Sequence, residues 1–240
     1  MTKKSAQERK QRAAASLEEQ QRRERRRTGI LLVVCALVVI GLVVAALVPY
    51  IKDQRRQGDG PDTAVGKIGA SASQAACRQV RTRPYATPAS GSNHVPNGTT
   101  LTYPESPPAD GLHWASPMAP NQYRSFYSPR DRPAKELLVH SLEHGYTVIW
   151  YDETIAVQPG AISDLKALAT RYPPGEFVVV APWTAKDGAR FPTGHVALTH
   201  WTGPENPAGV WQYCGKPSGQ VIQDFVSRYP KSNSPEPDAG

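Results

Sequence analysis

Residues Ile30 to Val48 form nineteen consecutive positions with no charge and no strongly polar group. At ~1.5 Å of rise per residue, such a run crosses the ~30 Å hydrocarbon core of a bilayer as a helix, which satisfies its own backbone amides. Arg22, Arg23, Arg25, Arg26 and Arg27 crowd its start, whereas Lys52, Arg55 and Arg56 follow its end more thinly. That bias holds the N-terminus in the cytoplasm and exports the rest of the chain. A cleaved leader would have an apolar stretch of about 7–15 residues ending at small residues. This run is longer and ends in Val48-Pro49-Tyr50. The expectation is one transmembrane helix over 29–50, a basic cytoplasmic tail over 1–28 and an extracytoplasmic domain beyond.

The charge belongs to the tail. Residues 1–28 carry ten Lys/Arg against four Glu, a net of +6, and the whole chain is only +7. The remainder therefore nets +1, without the basic footprint that nucleic acid requires, so nucleic acid is not an expected partner. The expected partners are the lipid bilayer and other envelope proteins.

Residues 51–75 are rich in Gly, Asp and Ser and read as a flexible stalk. Residues 76–132 hold many prolines and few apolar runs, which suits ordered loop with short strands such as Thr99–Tyr103. Regular structure begins near Pro133. Ala134–His144 reads as a helix closed by Gly145, and Thr147–Tyr151 as a buried β-branched and aromatic strand. Ala161–Tyr172 is a second helix, Phe177–Val180 and His195–Trp201 are strands, and Gln220–Tyr229 is a closing helix. Residues 76–230 are thus expected to form an α+β domain with a mixed sheet, or an α/β domain in a thioredoxin-like order, with a disordered tail over 231–240. No Cys-x-x-Cys is present, so thioredoxin redox chemistry does not follow.

Cys35 lies within the apolar run and packs there as a small apolar residue. Cys77 and Cys214 stand near the two ends of the exported domain, where an oxidising compartment would join them across a long loop. Two unrelated thiols are the alternative.

The chemistry concentrates in His140-Ser141-Leu142-Glu143-His144. On a helix, His140 and His144 stack one turn apart, Glu136 and Glu143 share their arc, and Leu138 and Leu142 face the other way. Two imidazoles at i and i+4 are a common way to hold a transition metal, with a carboxylate as third ligand, outer partner or base. The string also fits a His-x-x-Glu-His metalloprotease pattern, but a further ligand on a downstream helix would have to come from Asp164, or from Asp152 or Glu153 before it. The simpler reading is a helix-terminal His144 favouring the dipole and a His140 bonded to backbone. Ser141 sits on a helix and not at the strained elbow a nucleophile needs.

All six histidines lie beyond the apolar run. His94 and His113 fall in the proline-rich loops just before the helix, a usual source of remaining ligands. A site of His94, His113, His140 and His144, with Glu143 beside it, suits Zn or Cu, and Met118 is near enough in sequence to admit copper. His195 and His200 are five apart on one strand, so they point to opposite faces and read as structural. Asn97-Gly98-Thr99 fits a glycosylation acceptor but is a turn sequence first. The five tryptophans read as core or interface residues.

Asn93-His94-Val95-Pro96, then Pro107-Pro108-Ala109-Asp110-Gly111-Leu112-His113, then His140-Ser141-Leu142-Glu143-His144-Gly145 followed by a strand, together resemble a bacterial family. Its members are mainly actinobacterial single-pass membrane proteins of unknown function, and the similarity covers residues 77–228. The family usually has Thr-Ser where this chain has Ala109-Asp110, and often Gly where it has Asn121-Gln122 before Tyr123. The resemblance implies the architecture and the outer location, and it supplies no activity. The functional expectation is a membrane-anchored, metal-binding domain at the cell membrane. A non-enzymatic interaction module of an envelope complex is the alternative, and a zinc hydrolase with Glu143 as base a further one; enzymatic activity stays open.

Overall fold

A computed structural model describes residues 64–203 and 205–238. The apolar run Ile30–Val48, its basic tail and the first half of the stalk lie outside the described residues. Among the described residues no helix is long and apolar enough to cross a membrane.

The regular elements are β1 (Arg81–Pro84), β2 (His94–Val95), β3 (His113–Trp114), α1 (Lys135–Glu143), β4 (Thr147–Asp152), α2 (Ala161–Ala169), β5 (Val178–Trp183), β6 (Val196–Thr202), β7 (Ala208–Cys214) and α3 (Gly219–Arg228). They make an α+β domain around a five-stranded mixed sheet of order β1-β7-β6-β4-β5. Only β4 and β5 run parallel within it, joined through α2; the other neighbours are antiparallel. Strand β7, like the short β1, β2 and β3, is an element the sequence pattern did not signal. Gly209 and Gln212 interrupt its apolar character, yet it pairs along its whole length with β6.

Strand alternation sorts the core into two faces. Val148, Trp150, Val179, Ala181, Trp201 and Trp211 pack with Leu138, Val139 and Leu142 of α1. Ile149, Val178, Val180 and Leu198 pack on the other side with Leu165 and Leu168 of α2 and Ile222 and Phe225 of α3. Burying each such side chain contributes ~1.5–3 kcal/mol. Ser218 caps α3 by accepting from the Val221 amide.

Helix α1 ends in a reciprocal pair of bonds: the Gly145 N–H donates to Leu142 O and the Tyr146 N–H to Ser141 O. Gly145 takes φ +90°, and a Cβ there would meet Lys231 Cγ at 2.6 Å and Lys231 O at 2.8 Å. A glycine therefore both stops the helix and admits the C-terminal segment.

Three stretches differ from the sequence expectation. Thr99–Tyr103 is not a strand. Its backbone is engaged by side chains, with Trp114 Nε1–H donating to Thr99 O and the Leu101 N–H to Glu136 Oε1. Residues 64–75, the second half of the expected flexible stalk, pack on the domain: the Ala70 amide donates to Pro217 O, the Gly219 amide to Ile68 O, and Ala75 is fully buried. The expected disordered tail is ordered over residues 231–238. It makes a short 3-10 turn over Lys231–Asn233, buries Ser234 completely, and bonds the Glu236 amide to Glu143 O. Its polar composition misleads because it packs by main-chain bonds rather than by an apolar face.

Cys77 and Cys214 form a disulfide that closes a 137-residue separation. It ties the chain just before β1 to the end of β7.

Candidate metal centre

Parallel pairing of the two short strands β2 and β3 sets His94 directly beside His113. The end of β3 lies against α1, where His140 Nδ1 is 2.7 Å from Trp114 O. His140, Glu143 and His144 project from the same end of α1, as the helical arc predicts. The ligand atoms of His94, His113 and His140 all lie within 4.8 Å of one another, as do those of Glu143, His144 and Glu236. All five expected site residues are thereby brought together, although they come from three separate stretches of chain.

The distances show how tightly they converge. Glu143 Oε2 is 2.9 Å from His113 Nε2 and 3.4 Å from His94 Nε2. His140 Nε2 is 2.8 Å from His144 Nε2. Around a metal with bonds of ~2.0–2.1 Å, neighbouring ligand atoms stand about 2.9 Å apart in octahedral and about 3.3 Å apart in tetrahedral geometry. The observed spacings fall on those edges.

Protonation sharpens the point. His113 Nδ1 contacts Gly111 O at 2.9 Å, His140 Nδ1 contacts Trp114 O at 2.7 Å, and His144 Nδ1 contacts Glu236 O at 3.2 Å. A carbonyl oxygen only accepts, so each Nδ1 carries a proton and each Nε2 is left to face the cluster. The Nε2 atoms of His140 and His144 thus face each other at 2.8 Å, and that of His113 faces the Glu143 carboxylate at 2.9 Å. His113 Nε2 and Glu143 Oε2 are buried against each other, with no further hydrogen-bond partner. Imidazole nitrogens gathered around a carboxylate could hold a cation, and backbone bonds to the distal nitrogen are the usual outer support of histidine ligands. Burial pushes His140 down to about 4, so a proton on that ring is a poor substitute at neutral pH.

Glu143 is oriented on its other side. Asn93 Nδ2–H donates to Glu143 Oε1 at 2.8 Å, and Tyr85 O–H donates to Asn93 Oδ1 at 2.9 Å. Burial alone would raise the Glu143 carboxyl, but His113, Asn93 and His94 outweigh it and hold it at about 2. The carboxylate is thus an anion at any ordinary pH, ready to balance a cation.

The loop leading to His113 is fixed through Asp110, where the family resemblance had marked a departure. Asp110 is buried and receives Arg83 NH2 from β1 at 2.6 Å. Burial nevertheless pushes its carboxyl up to about 6, so desolvation outweighs the single guanidinium.

The remaining candidates are elsewhere. His195 Nδ1 lies 3.0 Å from Asp152 Oδ2 and 2.9 Å from Thr154 Oγ1, and His200 is wholly buried with its ring beside Tyr229. Asp152 caps the 3-10 turn Glu153–Val157 by accepting from Thr154 and Ile155 amides, so it is no ligand of this cluster. Sequence reasoning missed Asn93, Tyr85 and Glu236. Asn93 was visible as the neighbour of His94; Tyr85 and Glu236 act across long separations that leave no local signal.

The cluster is asymmetric. His113 and Glu143 are buried at 0% and 2% side-chain exposure, whereas His94 is 36% exposed. His94, His140 and His144 line one side of a cleft of about 610 Å³. Together the fold and site define an extra-sheet histidine–carboxylate cluster on an α+β domain, a group that could hold a metal ion. The chain belongs to the family described as "Protein of unknown function (DUF3105)", whose model matches residues 94–240, from the first histidine of the cluster through the C-terminal segment. No curated protein and no solved structure matches it.

Proposed function

We propose that this chain is a membrane-anchored protein whose extracytoplasmic domain binds a first-row transition metal, Zn or Cu, through His94, His113 and His140, with Glu143 and His144 completing the set. The observation that carries this reading is the convergence of imidazole Nε2 atoms on a buried carboxylate, with three Nδ1 atoms anchored on backbone carbonyls. Imidazole and carboxylate without thiolate suit Zn²⁺ or Cu²⁺, and the two described cysteines are joined to each other. The disulfide also favours an oxidising compartment, which agrees with export by the apolar run Ile30–Val48.

Glu143 faces the buried side of the cluster and is held by Asn93, which favours a ligand role over that of a general base. The role in the cell is therefore binding, for storage, delivery or structure, within the envelope.

The test is metal analysis of the full chain purified in mild detergent, beside His140→Ala/His144→Ala. About one equivalent of Zn or Cu in the parent and a loss in the variant is the expected result. Absence of both metals from the parent, even after reloading, would overturn the reading.

A further inference from the structure

The cleft beside the cluster has a composition that selects its occupant. Its far wall is aromatic: Tyr123 and Tyr146 stack at 5.1 Å between centroids, and Tyr146 meets Phe177 edge-on at 5.0 Å. Met118 and Pro174 add apolar surface. Burial pushes the Tyr146 hydroxyl above its ordinary range, so this wall stays uncharged. Lys231 is the one lysine or arginine lining the cleft among the described residues, and an acidic group just outside that lining, the exposed Glu236 carboxylate, comes within 4.8 Å of a His144 ring nitrogen. The ammonium of Lys231 sits 4.1 Å from the Phe177 ring centroid.

Phe177 is itself held in an uncommon state. Its φ is +56°, a genuine outlier for a bulky side chain, costing roughly 1–3 kcal/mol unless the surroundings enforce it. The Thr147 amide donates to Phe177 O, which fixes that backbone at the start of the β4–β5 pairing. Thus the ring is placed on the cleft wall at a backbone cost. The same cleft is lined by His94, His140 and His144 of the cluster, while His113 and Glu143 are buried away from it. A coordination position left open beside those three histidines would face the cleft.

We infer that the cleft binds an arenecarboxylate: an aromatic ring laid against the continuous wall of Phe177, Tyr146 and Tyr123, its carboxylate directed at the metal and at Lys231. This rests on the metal reading above. The ring gains offset or edge contacts with the wall, the anion meets a cation on each side, and the cleft is large enough for one or two fused rings.

The experiment uses the full chain in detergent loaded with Co²⁺, whose visible bands report ligands entering its coordination shell. It is titrated with 2-naphthoate and, separately, with acetate, which has the same donor and no ring. Naphthoate should half-saturate the spectral change at about tenfold lower concentration than acetate. Phe177→Ala should erase most of that advantage with cobalt stoichiometry intact. If that variant does not fold, Lys231→Gln decides, with naphthoate expected to weaken about threefold. Equal half-saturation by the two anions, an advantage that survives in Phe177→Ala, or, where Lys231→Gln decides, naphthoate binding unchanged by that variant, overturns the inference. A cobalt spectrum indifferent to both anions sinks the cleft alone and leaves the metal site standing. A protein that takes up no cobalt sinks both.

Discussion

One face of the sheet is covered by α2 and α3, the other by α1 and by the irregular chain between Tyr85 and Arg132. On the α2/α3 face the covering is amphipathic and aliphatic: Leu165, Leu168, Ile222 and Phe225 on Ile149, Val180 and Leu198. On the α1 face the aliphatic stripe Leu138–Leu142 still anchors the helix, but Asp110, His113, His140, Ser141 and Glu143 are buried beside it. Burying unpaired polar groups costs free energy that aliphatic packing does not. The α2/α3 face, with the Cys77–Cys214 bridge at its edge, therefore supplies stability, and the α1 face spends some of it to hold a site.

The largest effect expected from that division is at the bridge. Cys77→Ser with Cys214→Ser should lower the unfolding free energy by about 4 kcal/mol, since the loop closed is long. Next is Leu168→Ala, fully buried in α2, at about 3 kcal/mol. Urea unfolding of the full chain in detergent measures both. Metal stoichiometry of the folded fraction should be unchanged in both variants. A loss of metal from folded Leu168→Ala protein would break the division between the faces.

His200 tests the same comparison through pH. Its ring lies on the α2/α3 face, buried beside Tyr229, and burial pushes it down to about 4 against the smaller upward pull of a backbone bond at Tyr146. A histidine whose folded pKa lies below its unfolded value binds its proton mainly in the unfolded chain. Its contribution is complete above pH ~6.5 and is lost as pH falls towards about 4, by up to ~3 kcal/mol. Comparing unfolding at pH 7 and pH 4.5, His200→Gln should show a shallower loss than the parent. Equal pH slopes would place the acid sensitivity on the other face.

Legibility followed the same line. The α2/α3 face is built from periodic elements, so Ala161, Leu165, Val178, Val221 and Phe225 declare themselves by spacing, and both helices start within a residue of where the pattern puts them. On the site face, the histidines of α1 were legible as a helical pair because i and i+4 are local. His94 and His113 were legible only as residue types in loops; their side-by-side placement comes from a two-residue parallel strand pair that no periodicity marks. The C-terminal segment was read as a disordered tail, yet its Glu236 carbonyl orients His144 from 92 residues away. Backbone carbonyls are common to all residues, so such outer contacts carry no sequence signature.

The smallest effect separates orientation from ligation. Asn93 touches no expected metal position directly; its amide donates to Glu143 Oε1 while Glu143 Oε2 faces His113 and His94. In Asn93→Ala the carboxylate keeps its charge but is free to swing about χ3, and outer-partner losses of this kind weaken metal binding by about 10–100-fold. Asn93→Asp should be worse, because a second carboxylate would stand 2.8 Å from the first. Competition with a chromophoric chelator reads both affinities, and urea unfolding without metal should find Asn93→Ala within about 1 kcal/mol of the parent. An Asn93→Ala variant with parental affinity would mean that Glu143 is positioned by the helix alone. The polar network running from Tyr85 to Glu143 would then serve the loop and not the metal.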